Sequence, residues 1–495
     1  MTVASILPLV QLALPLAAGL VLLAAEPGRP RLARLVGGAS VLAQLALAVG
    51  SILALRNSNA LVEAIGTGLR SAGVVLVLDR LAAWMLVVAA LGMLVAFGHG
   101  CARPARPGRR DQAVLQFQLF ALDGIFLVGD LVTLFLFCQA LALAARAALV
   151  RETGAAHTLA GRRSAAAYLA GAAAFAITIG CVVTQLGTPD LAALAIAAPA
   201  VSGAGGGFLF AVSFLLLAVL ALGALGAPLI LWRQSVLARA PAFTLVIGAL
   251  AVQACVYMIV RLYTLVFPCF IAGPCGPSGL ALPFGLTAIT AGALAALSVR
   301  ERRALPACLL VASTGMLLIA VGSFRHDGLA AGIYLLMHAA LATSTLFLAD
   351  DALGSAAAGR NRRLWAIGYG VALAALLSLP PLSGFVGLLA LLRASAPDAL
   401  AVWSLVGAAV LVAGIATARL GALAPPPPAQ PAFAPRFASA GVVLGLACLI
   451  GLSVAAAPAL DIAAGVARQL LDRTVYVEAV GAVRADPAPA GRAAR

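Results

Sequence analysis

LLLAVLALGALGAPLILW, Leu215 to Trp232, runs for 18 residues without a charge. A helix needs about 20 mostly apolar residues to cross the hydrocarbon core of a bilayer. Runs of this kind recur along the whole chain, and its composition agrees. Hydrophobic residues make up 63%, charged residues 10%, and the mean hydropathy is +1.09. A soluble domain carries roughly 25% charged residues, so this chain lacks the polar surface to face water. Barrel strands alternate apolar and polar residues, which these runs do not, so the spanning elements are helices. The chain reads as an all-α polytopic membrane protein with about 14 transmembrane helices.

The spans predicted are 4–25, 35–55, 74–98, 113–128, 130–150, 164–185, 207–232, 240–264, 278–298, 305–322, 329–349, 364–391, 400–420 and 437–457. The first apolar run, Ile6 to Ala25, has no basic region before it and reads as a retained helix, not a cleaved signal peptide. APPPPAQPAFAPR, Ala424 to Arg436, reads as an extended proline-rich linker. Beyond it the tail carries an amphipathic stretch, Asp461 to Leu471, and a disordered end, ADPAPAGRAAR.

The net charge of +15 resembles a nucleic-acid signal, but its distribution points elsewhere. All 32 basic residues are arginine. They cluster in alternate gaps between spans, as at Arg103, Arg106, Arg109, Arg110 and at Arg300, Arg302, Arg303, while intervening gaps hold few, such as Arg325 and Arg393. This is the positive-inside pattern. It predicts a bacterial inner-membrane protein with both termini on the periplasmic side, a lipid bilayer as its partner and no nucleic acid.

No catalytic motif is present, no metal site and no cofactor-binding loop, so no enzyme activity is expected. Most cysteines sit singly in apolar runs as small hydrophobes. Cys269 and Cys275, in FPCFIAGPCGP, fall in a loop placed outside, where either a disulfide or two free thiols is expected. Pro228 lies late in the quoted run, and Pro380 and Pro381 interrupt ALLSLPPLSGFVGLLALL. Proline breaks or kinks a helix. Broken helices at corresponding places in two halves suggest a transporter with inverted repeats, whereas a packing kink is the plain alternative.

Several segments carry a family resemblance. GVVLVLDRLAAWM (Gly73 to Met85), LVGDLVTLFLFCQALALA (Leu127 to Ala144), APLILWRQSVLARAPAF (Ala227 to Phe243) and CVYMIVRLY (Cys255 to Tyr263) are four of them. LLMHAALATSTLFLADDAL (Leu335 to Leu353), LSLPPLSGFVG (Leu377 to Gly387) and RQLLDRTVYVEAVG (Arg468 to Gly481) complete the set. In this order they resemble the antiporter-like subunits shared by Mrp-type monovalent cation/proton antiporters and respiratory complex I, with the D subunit of the Mrp type as the nearer match. The resemblance implies fourteen helices with two inverted five-helix repeats containing broken helices. The first three helices would occupy 1–112, the repeats 113–264 and 278–420, the linker 421–436, the last helix 437–457 and the tail 458–495. It also implies assembly with other antiporter subunits and handling of monovalent cations and protons.

The residues that would move protons in that family are replaced here. The helix-five glutamate position is Gln139, the helix-seven lysine aligns with Gly223 and the helix-eight lysine with Gln253. The helix-eleven position is Ala342, with His338 retained one turn earlier, and the helix-twelve lysine falls near Leu388. Glutamine offers hydrogen bonds but does not titrate, and arginine stays charged. The remaining ionisable candidates carry two readings each. Asp79 with Arg80 reads as a helix N-terminal charge or a functional pair, and Asp130 as a helix cap. Asp123, in LFALDGIFL, is an intramembrane carboxylate, functional by default but equally a hydrogen-bonded structural group. Arg261 is expected to pair with an acidic group of a neighbour, and Asp350 and Asp351 to be solvated. Two mechanisms therefore compete, a proton path through His338 and Asp123 or a non-conducting scaffold, and the missing lysines favour the scaffold. A pumping subunit of a complex I-like oxidoreductase or membrane hydrogenase is the alternative.

Overall fold

The computed structural model describes residues 6–25, 30–56, 58, 60–65, 74–100, 108–153, 159–231, 242–272, 276–299, 302–355, 360–395, 440–485 and most of 400–415. The helices are α1 (Leu7–Ala24), α2 (Pro30–Ala54), α3 (Arg80–Gly100), α4 (Arg109–Leu127), α5 (Leu131–Thr153), α6 (Leu159–Leu186), α7 (Leu191–Ala197), α8 (Gly203–Leu231) and α9 (Ala242–Leu265). They continue with α10 (Pro277–Ser298), α11 (Leu305–Gly322), α12 (His326–Ser355), α13 (Arg360–Leu376), α14 (Ser383–Ala394), α15 (Ala440–Val454), α16 (Ala456–Leu471) and α17 (Arg473–Ala485). Residues 402–415 are helical wherever they are described, while the expected linker from Ala424 to Arg436 lies outside the described residues. Among the described residues nine helices are long and apolar enough to cross a membrane, and the bent pair α15–α16 brings this to ten.

Burial separates the helices into two layers. The apolar window of α12 is buried along its whole length, and α3, α9 and α11 are mostly buried around it. On α6 and α8 most of the window is uncovered, with Leu169 and Leu222 among the exposed side chains. These helices are apolar on every side because lipid, not water, meets the outer face.

Residues 74–79 correct the expected third helix. They form β2 (Val74–Asp79), paired antiparallel with β1 (Ala60–Ile65) in the register Ala60↔Asp79 to Ile65↔Val74. VVLVLD is rich in β-branched residues, which suit a strand, and α3 starts only where the Asp79 carboxylate accepts from Ala82 N at 2.9 Å. Backbone bonds from Gly129 N to Val75 O (2.8 Å) and from Leu191 N to Gly129 O (2.9 Å) join this hairpin to the α4–α5 and α6–α7 turns.

The interruption expected at Pro380-Pro381 splits the predicted 364–391 span into α13 and α14, with Leu377–Leu382 between them. Pro228 differs, because α8 stays helical through it to Leu231. A single proline removes one backbone hydrogen bond, a loss that a long helix absorbs without ending. The expected amphipathic stretch of the tail is helical, and the end expected to be disordered lies, from residue 486 on, outside the described residues. The chain turns 80° at the α15–α16 junction. Ala459, Ala463, Val466, Ala467 and Leu470, one face of α16, are buried, and α17 continues to Ala485.

Asp350 and Asp351 are not solvated. Asp350 accepts from Arg302 Nε at 2.5 Å, and Asp351 meets His99 at 3.0 Å and Arg303 at 3.4 Å. Burial at the end of α12 requires these partners. Cys269 is an exposed free thiol, and Cys275 lies outside the described residues.

Close packing of α10 on α11 rests on glycine. A Cβ added at Gly292 would lie 2.7 Å from Cys308 O and Ala312 N, and one at Gly315 would lie 2.6 Å from Gly285 O. Small residues let membrane helices approach to backbone contact. Gly292→Val is expected to destabilise the protein by about 1–3 kcal/mol, read as a fall in the thermal midpoint in detergent. Gly171→Val, where a Cβ meets open space, should leave the midpoint unchanged.

Candidate functional site

Gln139 lies on α5, Gly223 on α8, Gln253 on α9, His338 and Ala342 on α12 and Leu388 on α14, and these residues do not form a chain of titratable groups. Gln139, half-buried on α5, accepts a hydrogen bond from the Tyr168 hydroxyl of α6. Beside it, Cys138 Sγ lies 3.5 Å from Met258 Sδ of α9. Gly223 of α8 faces α9, where a Cβ would sit 3.1 Å from Cys255 Sγ. Gln253 is fully buried on α9, and neither of its amide atoms has a partner among the described residues. Sulfur, amide and glycine thus occupy the α5–α8–α9 junction, and none of them relays a proton near neutral pH.

In the second half, His338 of α12 is buried against the helix break. Its Nδ1 lies 2.9 Å from Ser383 Oγ at the start of α14, and its Nε2 has no partner among the described residues. A Cβ on Gly384 would stand 2.8 Å from Nε2, so glycine makes room for the ring. Ala342, one turn on, is buried without a polar side-chain atom, as is Leu388. Around it, sequence reasoning missed Thr343 and Ser344, whose buried hydroxyls also lack partners among the described residues. Hydroxyls are too common in membrane helices to stand out in a sequence. Among the described residues no group of three or more His, Cys, Asp or Glu side chains is placed to hold a metal.

The strongest electrostatic site lies at the hairpin. Arg261 of α9 makes a bidentate pair with Asp79, its Nη1 at 2.6 Å from Oδ2 and its Nη2 at 2.7 Å from Oδ1. Both residues are buried. The acidic partner of Arg261 is thus Asp79, on the neighbouring hairpin. The guanidinium stacks over Tyr257 at 5.5 Å and Tyr476 at 5.4 Å, and Tyr257 OH donates to Phe126 O at 2.9 Å. From the tail, Gln469 accepts from Arg80 N at 3.1 Å. A cavity of about 10 Å³, room for one water, lies among Ala60, Asp79, Arg261, Gln469, Arg473 and Tyr476. Burial raises the Tyr476 hydroxyl above its ordinary pKa, so it stays a neutral ring over the guanidinium. Asp130 has the capping role expected of it, accepting from Thr133 N at 2.7 Å.

Removing one partner of a buried ion pair costs about 3–5 kcal/mol, because the other charge is left uncompensated. Arg261→Met alone should therefore greatly reduce the folded fraction recovered in detergent, measured by fluorescence-detected gel filtration. Adding Asp79→Asn, which keeps the cap on α3, should recover most of it.

No protein-family profile matches the chain. Over 284 residues it is 30% identical to the D subunit of a probable K⁺/H⁺ antiporter from Rhizobium meliloti, a match covering 56% of this chain and 51% of that one. Over 329 residues it is 26% identical to the D subunit of the Na⁺/H⁺ antiporter from Bacillus subtilis, covering 64% and 66%. The matches thus span about half to two thirds of those relatives' length. A chain of the Mrp complex from Dietzia sp. superposes with a TM-score of 0.83 at 22% identity, over 97% of this chain and 100% of the other. A chain of an archaeal membrane-bound sulfane sulfur reductase gives 0.79 at 19% identity, over 97% and 100%. One from respiratory complex I of Thermus thermophilus gives 0.75 at 19%, over 94% and 99%. In sequence the chain resembles antiporter D subunits over part of their length, and in fold it resembles chains of the Mrp complex and of respiratory membrane complexes.

Proposed function

We propose that this chain is a membrane subunit of a Mrp-type monovalent cation/proton antiporter complex, and that within it the chain is a scaffold that does not itself conduct protons. Its relatives are named as antiporter D subunits, and it superposes on a whole chain of the Mrp complex; both support the first part. The scaffold role rests on the α5–α8–α9 junction, where Gln139 bonds to Tyr168, Gly223 faces Cys255 and Gln253 is isolated among the described residues. A relay through that region needs groups that gain and lose protons, and none of these does. His338 then serves to pack the α13–α14 break through Ser383, and Asp79–Arg261 to hold the hairpin against the tail.

The proposal extends to topology. Fourteen spans follow if the nine long helices are joined by α4, α5, the α13–α14 pair, residues 400–415 and α15. Two inverted repeats would then comprise α4, α5, α6, α8, α9 and α10, α11, α12, α13–α14, 400–415. The arginine pattern supports a bacterial inner membrane with both termini outside. The exposed apolar faces of α6 and α8 suit neighbouring subunits as well as lipid. The alternative, a proton-translocating subunit of a complex I-like or hydrogenase-like enzyme, draws on the same fold, which the respiratory complexes share.

The test is transport by the assembled complex in inverted vesicles. Sodium-driven proton movement in His338→Ala should stay within about twofold of wild type, because a scaffold asks no proton transfer of this residue. The other antiporter subunits should co-purify with the chain. Loss of transport in a variant that still assembles would overturn the scaffold role.

A further inference from the structure

Away from the relay positions, α1, α2 and α4 enclose a polar seam in an otherwise apolar group of helices. On α4, Gln112, Gln116 and Asp123 are spaced by four and seven residues and share one face. On α2, Gly37, Ser40 and Gln44 share another by the same logic. The two faces meet. Ser40 Oγ donates to Gln116 Oε1 at 2.9 Å, Gln116 Nε2 donates to Gly37 O at 3.3 Å, and Gln44 Nε2 donates to Asp123 Oδ2. The same Gln44 nitrogen donates to Gln11 O of α1 at 2.7 Å. Gln11, Gln44 and Asp123 are all fully buried.

This arrangement leaves an excess of acceptors. Gln11 Oε1, Gln44 Oε1 and Asp123 Oδ1 have no donor among the described residues, and both hydrogens of the Gln44 nitrogen are already committed. None of the ion pairs among the described residues reaches Asp123. A lone carboxylate inside a bilayer has to be neutralised. A proton on Asp123 would satisfy one of the amide oxygens and leave the other bare. A cation held among these three side chains would neutralise the carboxylate and offer the bare oxygens a partner.

We propose that Asp123, with Gln44 and Gln11, forms a binding site for one monovalent alkali cation. Hard oxygen ligands, a carboxylate and amide carbonyls, select such an ion over the softer transition metals. Its single charge cancels that of Asp123, whereas a divalent ion would leave a net positive charge in the apolar interior. From Asp123 the polar face runs down α4 to Gln112, about 16 Å at 1.5 Å per residue, which gives the ion a polar approach along the α2–α4 seam. The site does not depend on the antiporter reading, because it concerns binding to this chain alone.

Binding of ²²Na⁺ to the full chain in lipid nanodiscs, followed by scintillation proximity, tests the assignment. Saturable binding of one ion per chain, displaced by unlabelled Na⁺, is expected. Asp123→Asn and Gln44→Leu should each weaken it at least tenfold, while Asp111→Asn, at the exposed start of α4, should leave it unchanged. Gln44→Leu keeps the test decisive if Asp123→Asn fails to fold. Absence of saturable binding to the wild-type chain would mean that Asp123 is permanently protonated, and would overturn the proposal, as would undiminished binding to Gln44→Leu.

Discussion

The buried pair between Asp79 and Arg261 holds together parts of the chain that nothing else among the described residues joins so directly. Asp79 ends the hairpin and caps α3, and Arg261 sits near the end of α9 under the Tyr257 and Tyr476 rings. Neither charge is tolerable there alone, since each would lose hydration without compensation. Their pairing fixes the register of β2 against α9 and, through Tyr476 and Gln469, the position of the tail. A membrane protein has little hydrophobic drive to pack helix on helix, so a charge pair of this kind supplies orientation that apolar contact alone does not.

The same constraint organises the other polar groups. Asp350 and Asp351, near the C-terminal end of α12, are buried where Arg302, Arg303 and His99 meet them. Where a relay would demand ionisable groups, the chain places glutamine, glycine and alanine, which carry no such obligation. Asp123 is the exception: a buried carboxylate held by an amide, with no cationic side chain described against it. The chain therefore combines a neutral core at the positions matched to a relay with an uncompensated carboxyl group in its N-terminal helices.

Much of the fold was legible in the residues. Apolar runs located the spans to within a few positions, as at α9, expected over 240–264 and found at Ala242–Leu265. The proline pair marked the α13–α14 break, and the Gly-Asp step before α5 marked Asp130 as its cap. The errors share a cause. Residues 74–79 look like the first turn of a helix because an apolar run does not distinguish a buried strand from a buried helix. Pro228 resembles Pro380 in sequence, yet α8 continues through it, because a lone proline removes one backbone bond whereas two adjacent prolines remove two and disfavour the helical conformation before them. Asp350 and Asp351 look solvated in sequence because their arginine partners lie 48 residues earlier.

Hydropathy and charge order are local properties, summed along the chain, and they suffice to mark it as a bundle of long apolar helices suited to crossing a bilayer. Which polar groups meet is a property of residues far apart, such as Asp79 and Arg261 at a separation of 182 or Gln44 and Asp123 at 79. Folding brings an arginine to one buried carboxylate and, among the described residues, an amide side chain to the other, and the cost of burying a charge depends on what stands beside it.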